Sequence, residues 1–117
     1  MKSEKKKAYR KGKRAEQLVA LALQLKGYRI AARRYKTPVG EVDLIARKKD
    51  LVIFVEVKAR ATPRAALDSI THNAQRRIES AGQWWLSQQS DAASLSWRID
   101  VVAVVPRRWP LHFEDVW

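Results

Sequence analysis

The sequence predicts an α/β fold in which a mixed β-sheet is flanked by helices, with the element order αβββαβ. An amphipathic helical stretch comes first, three short segments rich in β-branched residues follow, and a second helical stretch precedes a last strand. The first three strands are joined by short turns, which permits an antiparallel meander. The last strand is reached through a helix, which permits a parallel crossover into the same sheet.

Two helices are predicted from the 3.6-residue spacing of apolar side chains. The first runs from about Ala8 to Lys26 and is followed by Gly27, which suits a C-cap. We expect residues 1–7 to form a basic flexible arm and residues 8–117 to form a single domain. The second helix is predicted over residues 64–88.

Four strands are predicted, each bounded by turn residues. They are Tyr28–Thr37, Glu41–Arg47, Leu51–Arg60 and Ser96–Pro106. The last is an almost continuous apolar run, so we expect it to be buried on both faces. The tail to Trp117 is expected to add a short edge strand or a covering segment.

Composition limits the class of protein. The chain has 117 residues, enough for one domain with an ordinary core, and it contains no cysteine, which excludes disulfide bridges and thiolate metal sites. No apolar run approaches the ~20 residues that cross a membrane. The basic N-terminal segment is not followed by the apolar core of a signal peptide. We therefore expect a cytoplasmic protein of bacterial type with no membrane partner.

The charge of the chain favours a polyanionic partner. The formal net charge is +12, from 24 Lys and Arg against 12 Asp and Glu, and eight of the first fourteen residues are basic. Nucleic acid is the commonest partner of such a chain, whereas a charge that serves only solubility is the alternative. Candidates for phosphate contacts are Arg33, Arg34, Lys36, Arg60, Arg64, Arg76 and Arg77. For any one of them a solvated basic surface is an equally good explanation.

Polar residues interrupt the apolar hairpin GEVDLIARKKDLVIFVEVKAR, residues 40–60. A turn centred on residues 48–49 would place Asp43 opposite Phe54 and Glu41 opposite Glu56. Three acids and the lysine at position 58 would then share one face, while the alternate apolar residues of the second strand would take the other.

Crowded carboxylates repel one another and resist burial, and a cation is the usual remedy. Oxygen ligands on two strands suit Mg²⁺ or Mn²⁺, and a lysine beside them can position or help deprotonate a metal-bound water. Together with the basic chain, this pattern suggests hydrolysis of a nucleic-acid backbone. The alternative is a Glu–Lys pair on a solvated sheet face, which is common in proteins.

The hairpin also carries a resemblance. Asp43, followed thirteen residues later by Glu56-Val57-Lys58, resembles the PD-(D/E)xK signature of a nuclease superfamily that includes restriction enzymes and Holliday-junction resolvases. More narrowly, the segments GEVDLIA and FVEVKAR resemble the YraN-type family of uncharacterised small bacterial proteins. The resemblance extends to GKRAEQLVA, QRRI and RIDVVAV, and so to nearly the whole chain.

The resemblance implies a restriction-endonuclease-like core and a metal site. Asp43 and Glu56 would bind Mg²⁺ or Mn²⁺ together with the Val57 carbonyl, and Lys58 would be the catalytic lysine. Glu16, on the first helix, would correspond to a glutamate that resolvase-like members bring to the metal. Two further polar residues would assist the site without binding the metal: Glu41, and Gln75 on the second helix.

Three functions follow as hypotheses. The first is a metal-dependent endonuclease that hydrolyses DNA phosphodiester bonds, with branched or otherwise structured DNA as a substrate class to consider. The second is a nucleic-acid-binding module with the nuclease fold but little or no catalysis. The third is a protein-interaction scaffold whose charge is incidental.

The remaining aromatic and titratable residues have ordinary explanations. Trp84 and Trp85 are adjacent on a predicted helix, so they cannot both point fully into the core. An exposed apolar patch at Trp84 could support a homodimer. Core packing or an oligomer contact is favoured over base stacking for the tryptophans as a group. His72 and His112 are expected on the surface, and Asp100 either lies at the periphery of the site or pairs with an arginine.

Overall fold

A five-stranded mixed sheet organises the chain, and its strands lie side by side in the order in which they occur in the sequence. The structure is a computed structural model that describes residues 2–117, without the side chains of residues 2–5 and 7–9. Its elements are α1 (Lys2–Leu25), β1 (Arg29–Thr37), β2 (Gly40–Lys48), β3 (Leu51–Ala59), α2 (Pro63–Asp68), α3 (His72–Leu86), a 3₁₀ turn (Ala92–Ser94), β4 (Ser96–Val104) and β5 (Leu111–Phe113). β3 and β4 pair in parallel, and the other neighbouring strands pair antiparallel. The α/β class, the meander, the parallel crossover and the short edge strand in the tail are confirmed.

The first helix is longer than expected. It begins at Lys2 and not near Ala8, because lysine, glutamate, alanine and arginine are good helix formers and no glycine or proline occurs before Gly12. The basic N-terminal residues from Lys2 onward are therefore helical. That residues 1–7 move as a flexible arm stays a prediction, and Met1 lies outside the described residues.

The single helix predicted over residues 64–88 is wrong, because the structure has two helices there. Thr62 caps α2 by accepting a hydrogen bond from the Ala65 N–H (3.1 Å), and Pro63 occupies the first turn. Thr71 caps α3 in the same way (3.1 Å from the Ala74 N–H). A threonine cap starts a new helix by satisfying a free N–H group, and this local bond breaks the apolar periodicity into two segments.

The helices cover both faces of the sheet, and each face has its own core. α1 packs Val19 and Leu23 against Leu44, Ile53 and Val55. None of the helices within residues 2–117 is long and apolar enough to cross a membrane.

On the opposite face, α3 packs Ile78 and Trp85 against Phe54. Trp85 is buried and its neighbour Trp84 is exposed, as the helical geometry requires. Gly82 lies so close to the Phe54 ring that an added Cβ would be 2.6 Å from Phe54 Cε2. The absence of a side chain at Gly82 therefore sets how closely the helix approaches the sheet.

The hairpin register differs from the predicted one by two residues. Lys48 pairs with Leu51 and Ile45 pairs with Phe54, so the loop contains only residues 49 and 50. Lys49 has φ of 56°, the left-handed conformation that tight hairpin turns require. The expected pairs Asp43–Phe54 and Glu41–Glu56 are wrong. Because side chains alternate with a period of two, a shift of two residues by itself leaves each side chain on its predicted face of the hairpin. One position beyond the last pair, Leu44–Val55, Asp43 lies opposite Glu56.

The expected alternation along β2 also fails at one point. Val42 belongs to the core under α3, whereas Leu44 belongs to the core under α1, although the two residues are only two positions apart. On β1, Arg34 lies between the partners of Leu44 and Val42 and has φ of 48°. Both strands thus leave the regular pleat at the level of Asp43, which turns its side chain differently from what simple alternation predicts.

Asp100 anchors the C-terminal tail to the sheet. Its side chain is fully buried and accepts hydrogen bonds from Arg98 Nε (2.9 Å), His112 Nε2 (2.7 Å) and the Asp115 N–H (2.9 Å). The prediction that Asp100 pairs with an arginine is confirmed. The surface position predicted for His112 is wrong, because this carboxylate draws the ring inward, whereas His72 is exposed. Burial by itself raises the pKa of Asp100, but these three donors outweigh it and hold the pKa below its usual value.

We predict that Asp100→Asn lowers the free energy of unfolding at pH 7 by about 3 kcal/mol, because it leaves buried donors incompletely satisfied. A depressed pKa contributes stability above the unfolded-state value, near 3.9, and this contribution is lost as the pH falls through the folded-state value. Urea unfolding from pH 7 to pH 3 should show the gap between wild type and variant narrowing below about pH 4. The exposed Asp68→Asn is the control, and a gap that stays constant over the whole range would contradict the assignment.

We predict opposite effects for the same substitution at two helical glycines. Gly82→Ala should lower the stability by about 1 kcal/mol or more, because the clash with the buried Phe54 ring outweighs the helix propensity gained. Gly12→Ala, where nothing lies within 4 Å of the added carbon, should raise it by up to about 1 kcal/mol. Thermal unfolding measures both, and a stabilised Gly82→Ala would show that the helix is not in close contact with the sheet.

Candidate active site

The site is built where the β2–β3 ladder ends. Backbone pairing between these strands runs from Lys48–Leu51 to Leu44–Val55. At the next position the Asp43 carboxylate accepts a hydrogen bond from the Val57 N–H (2.8 Å). The side chain thus occupies the place of a backbone carbonyl, and this bond holds the carboxylate of β2 against β3.

Glu56 and Asp43 form a close pair of carboxyl groups. The Glu56 side chain is only 17% exposed. Burial, and secondly the neighbouring Asp43 carboxylate, raise the pKa of Glu56 to about 7, while Lys58 opposes the shift. Lys58 Nζ lies 3.5 Å from Glu56 Oε1. Near neutral pH the pair therefore either shares a proton or requires a cation.

A cavity of about 390 Å³ opens onto this pair. One wall comes from α1, through residues Lys11, Gly12, Ala15 and Glu16, and the other comes from β2, β3 and the residue that follows β3, through Asp43, Glu56, Val57, Ala59 and Arg60. Lys58 reaches the pair through Glu56 and does not itself line the cavity. The two carboxylates therefore face a solvent-filled space that has basic residues on its rim.

Glu16 lines the same cavity, but its carboxylate is held by Arg34. The Arg34 Nε donates to both carboxylate oxygens, at 2.8 and 3.1 Å. The side chain of Glu16 is only 14% exposed, so this ion pair is partly shielded from water. The structure thus places Glu16 beside the pair without bringing its carboxylate to it.

The two supporting residues predicted for the site lie further away. Glu41 is half-exposed and pairs with Arg77 (3.3 Å), and it lines a smaller adjoining cavity of about 180 Å³ that also contacts Asp43. Gln75 is half-buried on α3 and does not line either cavity.

The two carboxylates suit a divalent cation that needs only one or two protein ligands. In the part of the chain whose side chains are described, residue 6 and residues 10–117, no group of three or more acidic or histidine side chains is arranged to bind a metal together. Mg²⁺ and Mn²⁺ nevertheless accept one or two carboxylates and complete their shell with water and substrate phosphate. The crowded charge of Asp43 and Glu56 suits such an ion, and the cavity leaves room for its waters.

The seven basic residues predicted to contact phosphate are distributed around the site. Arg60 lines the main cavity, and Arg34 and Lys36 line the smaller one. Arg33 lines a groove on the other side of Glu16. The remaining three are exposed on α2 and α3: Arg64, Arg76 and Arg77.

Sequence reasoning missed a second group of residues beside the cavity. A groove of about 450 Å³ runs between α1 and the loop that joins β4 to β5, with Arg14, Arg107, Arg108 and Trp109 on its walls. It shares Lys11 with the main cavity. The segment PRRWP, in which two prolines enclose two arginines and a tryptophan, was the available signal.

Comparison with known proteins identifies the family. The model of the uncharacterised protein family UPF0102 matches residues 15–104. A UPF0102 protein of Chelativorans sp. (strain BNC1) is 60% identical over 111 residues, which cover 95% of this chain and 90% of that protein. One from Mesorhizobium japonicum is 59% identical, with 93% and 87% covered, and one from Agrobacterium fabrum is 53% identical, with 97% and 93% covered. The names of these relatives assign them no activity. In agreement with its YraN-type motifs, the chain belongs to the UPF0102 family.

Proposed function

We propose that this protein is a metal-dependent endonuclease that hydrolyses DNA phosphodiester bonds, a function found in the PD-(D/E)xK superfamily that its hairpin motif resembles. One observation carries the proposal: the carboxyl groups of Asp43 and Glu56 meet in an open cavity, although burial and mutual repulsion raise the pKa of Glu56 to about 7. A fold has no structural need for such a pair, and strongly perturbed groups in clefts are typical of functional sites.

The cavity can hold a phosphodiester and a cation at the same time. Lys11 and Arg60 on its walls attract the phosphate, whereas the two carboxylates repel it unless a divalent ion lies between them. When bound, Mg²⁺ or Mn²⁺ lowers the pKa of a coordinated water and neutralises charge on the phosphodiester under attack. The ion would be held by Asp43 and Glu56, with the Val57 carbonyl as the third oxygen that the resemblance implies.

The chain's own residues prepare this arrangement. The Val57 N–H orients Asp43, and the Lys58 ammonium favours the ionised form of Glu56 that a cation needs. The resemblance assigns Lys58 the role of the catalytic lysine, and its ammonium reaches the site through Glu56, 3.5 Å from Oε1, and not from the cavity wall. Glu16 can contribute only when its ion pair with Arg34 opens.

The alternative function is nucleic-acid binding without cleavage. It is favoured by the Glu16–Arg34 ion pair, which leaves two carboxylates at the site. Binding that weakens steeply with salt is expected for both functions and separates them from an interaction scaffold whose charge is incidental.

We predict that the purified protein cleaves branched or linear DNA with Mg²⁺ or Mn²⁺, and that Asp43→Asn and Lys58→Met each slow the reaction by at least about 100-fold. Asp50→Asn is the matched control, because Asp50 lies at the far end of the hairpin, about 20 Å away along β3. Gel assays on labelled substrates measure the rates. Cleavage that survives in both variants would remove these residues from the active site. Salt-sensitive binding with no cleavage of any substrate would favour the binding module.

We predict that Mn²⁺ raises the melting temperature of the wild type by a few degrees, that EDTA reverses the effect, and that Asp43→Asn abolishes it. Without metal, Asp43→Asn should be at least as stable as the wild type, since it relieves repulsion while the amide oxygen can still accept from the Val57 N–H. Thermal unfolding with and without metal measures both effects, and Asp50→Asn should respond like the wild type. An equal metal response in Asp43→Asn would place the ion elsewhere.

A further inference from the structure

The groove beside the cavity is positioned by the parallel pairing of β3 and β4. Parallel strands end at the same edge of a sheet, so the residues after β3 and the loop after β4 emerge together. A hydrogen bond from the Arg60 N–H to the Val104 carbonyl (3.1 Å) joins the two segments at this edge. The groove shares Lys11, Ala15, Ala59 and Arg60 with the cavity that holds Asp43 and Glu56.

Trp109 is presented to solvent by a constrained loop. It is 56% exposed, more than Trp84 (42%) or Trp97 (37%), and the large apolar indole is left uncovered by the described part of the chain. Pro106 and the buried Pro110 enclose the loop and restrict its backbone. Arg107 adopts φ of 65°, a left-handed conformation that costs an arginine about 1 kcal/mol. The rest of the fold therefore stabilises this loop against a local conformational strain.

Five cations line the same groove as this indole. They are Lys11, Arg14, Arg60, Arg107 and Arg108. Among the side chains that the structure describes, no carboxylate forms an ion pair with any of the five, although Arg60 Nη1 donates to the Ala59 carbonyl (2.8 Å). The floor between them is apolar and includes Leu18 and Val105. The groove thus combines an exposed aromatic face with concentrated positive charge.

Charge complementarity selects one occupant for the groove. A second copy of the chain would bring another net charge of +12 against the five cations. An acidic peptide would satisfy the cations but would not need a flat indole. An unpaired nucleic-acid strand satisfies both, since its bases stack on aromatic side chains and its phosphates contact lysine and arginine.

We infer that the groove between α1 and the β4–β5 loop binds an unpaired nucleic-acid strand, with a base stacked on Trp109 and the backbone contacted by Arg107, Arg108 and Arg60. The inference deepens the proposed function and rests on it only for the next step, in which the same strand enters the cavity of Asp43 and Glu56. The substrates would then be nucleic acids with an unpaired segment beside the cleaved bond, and fully paired duplex would bind this groove poorly.

Binding can be measured apart from cleavage, by fluorescence anisotropy of a labelled oligothymidine in EDTA. Trp109→Ala should weaken the affinity about 5- to 100-fold, because stacking contributes about that much for each base. Trp109→Phe should retain most of the affinity. The matched control is Trp84→Ala, which removes an exposed tryptophan from α3. An abasic oligonucleotide of equal length keeps the phosphates but has no bases, so the wild type and Trp109→Ala should bind it equally.

The arginines are tested by the salt dependence. The double variant with Arg107→Gln and Arg108→Gln should reduce the slope of log affinity against log salt by about 0.7 for each lost phosphate contact. An unchanged slope would overturn the backbone contacts proposed for this loop.

The inference is overturned if Trp109→Ala binds oligothymidine like the wild type, if it loses equal affinity for the abasic strand, or if Trp84→Ala has the same effect. A wild-type dimer in sedimentation that Trp109→Ala converts to a monomer would assign the groove to a second copy and would also overturn it. Trp109-dependent binding without metal-dependent cleavage supports the inference and defeats the proposed function. If Trp109→Ala cleaves strands with unpaired segments at the wild-type rate, the proposed function is supported and the inference about the groove is defeated.

Discussion

The hydrogen bond between the Asp43 carboxylate and the Val57 N–H is the constraint on which the site depends. The backbone pairing of β2 and β3 stops at Leu44 and Val55. Beyond that point the Val57 N–H has the Asp43 side chain as its acceptor in place of a backbone carbonyl. The same bond fixes one oxygen of Asp43 and brings its carboxylate to Glu56. A structural need of the sheet, the satisfaction of an N–H group, is thus met by a side chain that our proposal assigns to metal binding.

The fully buried Asp100 and the largely covered Glu56 show opposite solutions to the problem of shielding a carboxylate from water. Burial raises the pKa of Asp100, but hydrogen bonds from three donors, an imidazole, a backbone N–H and a guanidinium, overcome this effect and lower the pKa. Glu56 faces another carboxylate and has one lysine nearby, so burial dominates and its pKa rises to about 7. The first arrangement is self-sufficient and stabilises the tail. The second is incomplete without a proton or a cation, which is why we place the chemistry at Glu56 and not at Asp100.

The parallel pairing of β3 and β4 relates the cavity to the rest of the molecule. It brings the end of the strand that carries Glu56 and Lys58 next to the loop that carries Trp109. α1 then lies across both, with Lys11 on the wall of the cavity and of the groove. A negative pair of side chains is thereby surrounded by the positive charge of a chain with a net charge of +12. We propose that this arrangement attracts a polyanion toward a site that accepts it together with a cation.

The sequence by itself determined the fold class, most of the order of the elements and the closeness of Asp43 to Glu56, because hydrophobic periodicity and turn residues are local properties. It misjudged the hairpin register by two residues, since the turn type depends on a left-handed Lys49. It also missed the start of α3, since a threonine cap overrode the apolar pattern. Only the tertiary structure decided that Glu16 is held by Arg34 and that an exposed Trp109 shares a groove with five cations. Such contacts join residues from distant elements, and their geometry follows from how the helices pack on the sheet and where parallel strands end.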